Sequence, residues 1–192
     1  MLSTKGMEAR SLNTEEFREV ISHFASGVTV ITVLHEGERF GTTASAVTSL
    51  SLEPPMLLIC MNKQSATGKA VAAAGHFAVN ILGATQVELA KHFAKKGGDK
   101  FAGIDFSDGR RGDPLFNDVL ATLECEVAEQ TAVATHYVFM AEVVGGSASA
   151  GTPLAYFKGQ FGRLELTTDQ LEARVPSEDR RRHERRSPRR AP

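Results

Sequence analysis

The apolar positions of the chain follow two different periods. Near the N-terminus, Phe17, Val20, Ile21 and Phe24 recur every three or four residues, the spacing of one helix face. Asn13, with Glu16 three residues later, forms a capping-box pattern ahead of them. A helix is therefore predicted from residue 13 or 14, ended by Ser26-Gly27, with its apolar face packed on the body of the fold. From Val28 to Leu34 the chain becomes β-branched, which predicts a strand. His35-Glu36-Gly37-Glu38 reads as a hairpin turn leading back into a second strand at Phe40. That strand alternates small and hydroxyl side chains from Gly41 to Ser49, until Glu53-Pro54-Pro55 interrupts it. Met56 to Met61 is a continuous apolar run, as in a buried strand.

Thr67 to Ala74 reads as a short alanine-rich helix stopped by Gly75, and His76 to Leu82 as a further apolar strand. Thr85 and Glu88 make a second capping-box pattern, opening a helix that buries Val87, Leu89, Ala90 and Phe93 and ends at Lys95-Lys96-Gly97-Gly98. Residues 97–118 read as a polar, glycine-rich loop. Strands are predicted at Leu123–Val127 and Tyr137–Val144, a turn at Gly145–Gly151, and a last hairpin of Leu154–Phe157 and Phe161–Leu166 around Gly159. Many short strands in one core imply a barrel or sandwich with helices at its edges.

Composition changes this picture at the ends. The formal net charge of −1 hides an arginine-rich tail: residues 174–192 hold eight arginines against three acids. Residues 1–12 are read as a flexible arm, 13–168 as the folded domain, and 169–192 as a basic, disordered tail. The tail is taken as a solvated extension in preference to a nucleic-acid-binding arm. No apolar run reaches the roughly 20 residues that span a bilayer, and the first residues lack the apolar centre of a signal peptide. The two cysteines, Cys60 and Cys125, sit in strand-like runs and are read as structural thiols in a reducing cytoplasm. Neither they nor the six histidines show metal-ligand spacing, so no metal is expected.

The candidate chemistry lies between Phe40 and Thr67. A strand this poor in bulk leaves a groove in which a flat molecule can lie against hydroxyls and backbone amides. Asn62-Lys63-Gln64-Ser65-Ala66-Thr67 turns from the buried strand into a helix, whose free first-turn amides, with Lys63 and Lys69 nearby, suit a phosphate. Together the two features point to a phosphorylated planar cofactor.

The segments GTTASAVTSLSLEPP, SHFASGVTVIT, FAVNILG and PLAYFKGQFGRL, in this order, resemble those of the short-chain flavin reductases, the reductase components of two-component flavin-dependent monooxygenases. The resemblance covers about Phe17 to Leu166. It implies a mainly β fold, an antiparallel Greek-key FMN-binding split barrel with peripheral helices. It also implies FMN or FAD as flavin, NADH or NADPH as hydride donor, a homodimer, and a separate monooxygenase that receives reduced flavin. Carried over by position, Phe40, Gly41, Thr42 and Thr43 match the segment alongside the flavin ring, and Ser45 and Ala46 the next contact. Cys60, Met61 and Asn62 match the end of the buried strand, Ala66 and Thr67 the phosphate turn, and His92 and Phe93 a pair beside phosphates or adenine. His136 and Tyr156-Phe157-Lys158-Gly159 match the nicotinamide side; Thr43 and His136 are the expected catalytic residues. His136 follows Ala134-Thr135, where many relatives have an acidic neighbour, and Phe106 stands where many have tryptophan. Two other readings are weighed: a non-catalytic flavin or haem carrier or sensor, and a self-contained flavin oxidase. The retained His136 and Tyr156–Gly159 segment favours the reductase.

Overall fold

The computed structural model describes residues 11–166, so the arginine-rich tail and most of the N-terminal arm lie outside the described residues. Helix α1 (Thr14–Ser22) opens with the capping box read from sequence: Asn13 Oδ1 accepts from the Glu15 and Glu16 amides, and the Glu16 carboxylate accepts from the Asn13 amide. It ends earlier than expected, and Ser26–Gly27 forms strand β1. Strands β2 (Thr29–His35) and β3 (Glu38–Ala44) are joined by Glu36 and Gly37, both left-handed at φ 50° and 79°, as a tight hairpin turn requires. The predicted strand from Gly41 to Ser49 is two strands, because the chain leaves β3 at Ala44 and starts β4 (Val47–Leu52) three residues on. β4 pairs with β5 (Pro55–Asn62).

Helix α2 (Ala66–Ala74) is capped by Ser65, whose Oγ accepts from the Gly68 amide, and stops at Gly75 with φ 74°. It leads into β6 (His76–Ile81) and then α3 (Val87–Ala94). The Thr85–Glu88 capping box does not form. Gln86 is the N-cap and makes no capping bond; its side chain instead bridges the Gly83 amide (2.7 Å) and the Asp118 carbonyl (2.6 Å). The stretch read as a polar loop contains a small hairpin, β7 (Phe106–Asp108) with β8 (Pro114–Phe116). Two long strands follow, β9 (Ala121–Val133) and β10 (His136–Ala148), then β11 (Leu154–Phe157) and β12 (Gln160–Arg163). Gly145 to Ala148, expected in a turn, continue β10 past a register shift at Val143/Gly145.

The main sheet is antiparallel, in the order β3-β2-β6-β9-β10-β5-β4. Its two edges, β3 and β4, are consecutive in sequence. From Ala44 to Val47 the chain takes three steps, at most about 11 Å. The sheet must therefore curl until its edges meet at that corner; the Cys60 amide donates to Ala46 O at 3.0 Å and extends the β4–β5 pairing one residue toward it. No β3–β4 ladder forms, so the barrel is split along this line. Strands β1, β11 and β12 make a separate sheet beside α1.

Two apolar clusters fill the molecule. Ile31, Val33, Ile59, Phe77, Val79 and Phe139 pack inside the curl, while Val30, Leu82, Ala90, Phe93 and Phe116 pack between sheet, α3 and β8. Strand β2 serves both, which explains why Thr29 to Val33 are buried without a break. Helix α1 departs from expectation. Its Phe17, Val20, Ile21 and Phe24 face outward, Phe24 at 77% exposure, because no part of the described chain covers them. The helix is tethered at its end instead, where Ser22 O accepts from the Lys158 amide and the His23 ring meets Phe157 edge-on. No helix among the described residues is long and apolar enough to cross a membrane.

One buried side chain ties β8 to the barrel. Asn80 Nδ2 donates toward Val30 O, Thr32 Oγ1 and Pro114 O, and its Oδ1 accepts from the Phe116 amide at 2.7 Å. Replacing it with leucine strands those backbone groups out of reach of water. Asn80→Leu is expected to cost about 2–4 kcal/mol of unfolding free energy, read as a lower midpoint in urea.

Candidate functional site

Two clefts are lined by the strands around the split. The first, about 1160 Å³, lies between Phe40, Gly41 and Thr42 of β3, Asn62 at the end of β5, the turn Gln64–Thr67 and the loop that follows α3. The second, about 1370 Å³, lies between Ser45–Thr48, Leu58 and Cys60 on one side and α1 with Tyr156, Lys158 and Gly159 on the other. Glu15, Arg18, Glu19, Ile21 and Ser22 of α1, and Phe24 just past its end, line this second cleft. Thr42 and Ser45 stand close along the chain. Cys60 and Asn62 share one face of β5, since side chains two apart on a strand point the same way. Thr42 and Asn62 line the first cleft, and Ser45 and Cys60 line the second.

The first cleft is built for an anion. The amides of Ala66 and Thr67 open α2 and have no intrahelical carbonyl to donate to. Asn62 Oδ1 accepts from the Gln64 amide at 2.8 Å and so presets the turn. Arg39, Lys95, Lys96 and Lys100 line the cleft against two carboxylates, Glu38 and Asp99. Lys100 is held firmly: its Nζ donates to Gly41 O and Phe93 O, both at 3.0 Å. Partial burial pulls its ammonium below the ordinary lysine pKa. Lys63 and Lys69, which the sequence places beside the phosphate turn, are not among the residues that line the cleft.

The other expected site residues divide by position. Gly41 lies so close to α3 that a Cβ there would stand 2.6 Å from Phe93 Cε1. Phe93 beneath it is fully buried and meets Phe101 edge-on, so its ring belongs to the core and offers no face to an adenine. Met61 is likewise a core side chain. His92 Nε2 lies 2.9 Å from Lys100 O and steadies the lysine loop. Thr43 occupies the face of β3 opposite Thr42; its Oγ1 donates to Ala90 O at 2.6 Å and it lines neither cleft. His136 begins β10 directly opposite Asn62, exposed, with Nδ1 2.8 Å from Thr135 Oγ1. It too lines neither cleft. Phe157 is exposed against His23, while Lys158 and Gly159, at φ 48° and 76°, form the hairpin tip. Sequence reading missed Arg39, Phe106 and the cleft role of the Lys95–Lys100 loop. Its one available signal was three lysines around a glycine pair, which reads equally well as an ordinary helix end.

Fold and site define a class: a split-barrel protein with a flat, small-residue groove beside an anion-binding turn. The chain belongs to the flavin reductase-like family, whose model matches residues 21–165. It is 46% identical over 153 residues to the reductase component of 4-nitrophenol 4-monooxygenase/4-nitrocatechol 2-monooxygenase of Rhodococcus opacus, covering 80% of this chain and 82% of that one. It is 34% identical over 157 residues to the flavin-dependent monooxygenase reductase subunit HsaB of Mycobacterium tuberculosis, covering 80% and 84%. Among solved structures it resembles the NADH:FAD oxidoreductase SgcE6 of Streptomyces globisporus in complex with NAD and FAD fragments, with TM-score 0.77, 33% identity and coverage of 84% and 100%.

The two thiols differ in ways that a reagent can read. Cys60 is half-buried on the second cleft, whereas Cys125 is buried and its pKa is pushed up to about 12 by desolvation and by Asp113 and Glu124 nearby. At pH 8 a thiol-specific reagent is expected to modify Cys60 alone in the native protein and both cysteines after denaturation. A raised thiol pKa favours the native state only while the thiol stays protonated. The Cys125 contribution is therefore lost as pH rises from the ordinary value of 9.0 toward about 12.

Proposed function

We propose that this protein uses a nicotinamide nucleotide to reduce FMN or FAD and passes the reduced flavin to a separate monooxygenase. The observation that carries the reading is the first cleft, which brings Phe40, Gly41 and Thr42 of β3 together with the free amides at the start of α2. Phe40, Gly41, Thr42, Ser45, Ala46 and Cys60 would flank the isoalloxazine. Asn62, Ala66 and Thr67 would take its first phosphate. Bound flavin supplies the hydride acceptor. The chain's own residues then position and neutralise. Thr43 holds β3 against α3, and Lys100 covers two carbonyls that would otherwise face an incoming anion. His136, paired with Asn62 across the β5–β10 ladder, and the Tyr156–Gly159 tip would approach the nicotinamide from the open side. A rim of small side chains leaves little to lock a ring in place, which suits a flavin that must leave.

The reading extends to assembly. Phe17, Val20, Ile21 and Phe24 form an exposed apolar stripe, with Ile21 and Phe24 on the edge of the second cleft, and such a stripe needs a second apolar surface. A homodimer supplies one, and light scattering at assay concentration is expected to give twice the chain mass; a monomer mass at full activity would count against the dimer. The proposed catalytic domain is residues 13–168, working in the cytoplasm.

The direct test is NADH and NADPH oxidation with free FMN or FAD added, with product analysis confirming that no organic substrate is needed. His136→Ala is expected to raise the nicotinamide nucleotide KM about tenfold while flavin affinity stays within about twofold. Unchanged kinetics with both nucleotides would remove His136 from the site.

A further inference from the structure

We infer that Thr135 is a positioning residue for the nicotinamide nucleotide: its hydroxyl turns the His136 ring so that Nδ1 faces the β9–β10 turn and Nε2 is left to bond the ligand. This rests on the reading of His136 as a nicotinamide-side residue. The backbone puts both residues where that role needs them. His136 pairs with Asn62 across the β5–β10 ladder, and directly opposed residues of a sheet project from the same face. Asn62 lines the first cleft, so His136 stands one strand beyond its edge. On its other side His136 pairs with Val133, which makes Ala134-Thr135 a two-residue hairpin turn. Ala134 takes φ 46°, the left-handed region that such a turn asks of its first residue and that favours glycine. The Lys63 amide, next to Asn62, donates to Thr135 O at 3.0 Å. The turn is therefore held by its neighbours, and Thr135 is fixed from both sides.

The side chains complete the arrangement. Thr135 Oγ1 lies 2.8 Å from His136 Nδ1, and this is the one side-chain bond that either residue makes among the described residues. Both residues are exposed, so neither is needed to fill the core. A hydroxyl both donates and accepts. It can donate to Nδ1 of a neutral ring, which leaves the proton on Nε2, and it can accept from Nδ1–H of a charged one. Nε2–H is then a donor in both states, suited to a phosphate oxygen or the carboxamide oxygen of the nucleotide. Valine at 135 would keep the shape and the β-branch of threonine but could do neither. The exposed ring would then be free to leave this rotamer.

Full-length wild type, Thr135→Val, Thr135→Ser, His136→Ala and the Thr135→Val/His136→Ala double variant are compared. NADH KM and kcat are measured with FMN or FAD as acceptor, alongside flavin titration and the thermal midpoint. Thr135→Val is expected to raise NADH KM about fivefold, with kcat and flavin affinity within about twofold and the midpoint unchanged. Thr135→Ser, which keeps the hydroxyl, is expected to stay within about twofold of the wild-type KM. In the His136→Ala background the valine is expected to add less than about twofold, because the hydroxyl acts through the ring. An equal loss in both backgrounds, a matching loss of flavin affinity, or an unchanged KM overturns the inference, while the tenfold effect of His136→Ala keeps that residue in the site. If His136→Ala retains the wild-type KM, both assignments fall and flavin reduction by the wild type still stands. Failure of the wild type to reduce either flavin overturns the functional reading as well.

Discussion

The fold depends on one short crossing. Ser45 and Ala46 carry the chain from one edge of a seven-stranded sheet to the other, and two residues cannot reach far. The sheet must curl, and a line without strand pairing must remain where its edges face each other. The groove is that line. The site is therefore a consequence of how the barrel closes.

What holds β3 at the mouth of the split is a second close approach. Gly41 brings the strand against Phe93, Thr43 bonds the α3 backbone, and Lys100 bridges the Gly41 and Phe93 carbonyls. These links fix β3 in place while Phe40, Gly41 and Thr42 still line the first cleft. Lys100 has a double role here. Its ammonium pairs the carbonyl at the C-terminal end of α3, where the helix dipole is negative, and gives the wall of an anion cleft the opposite sign.

Much of this was legible along the chain. The Asn13 cap, the turn at Glu36-Gly37, the Gly75 stop and the terminal hairpin around Gly159 each depend on residues a few positions apart. The groove segment and the phosphate turn could be read for the same reason: small side chains before a proline break, then hydroxyls at a helix start. Local chemistry misled where a long-range partner competed. Thr85 and Glu88 have the pattern of a capping box, but Gln86 reaches both Gly83 and Asp118 and takes the cap position. Glycines at 145 and 146 read as a turn because their place in β10 depends on pairing with Glu124 and Leu123, twenty residues upstream.

The sequence by itself determined the family, the order of most elements and the two stretches that make the groove and the anion turn, because each is encoded in contiguous residues. Only the tertiary structure decided which side chains face the clefts. Phe93 and Met61 went to the core, Thr43 turned to the rear of its strand, and Arg39, Phe106 and Lys100 came forward from segments that read as a turn and a loop. The direction of α1 was settled in the same way. Its periodicity established an apolar face, but the tethers at Ser22 and His23 leave that face exposed, with Ile21 and Phe24 on the edge of the second cleft. Periodicity specifies which residues share a side of an element; contacts distant in sequence specify what that side meets.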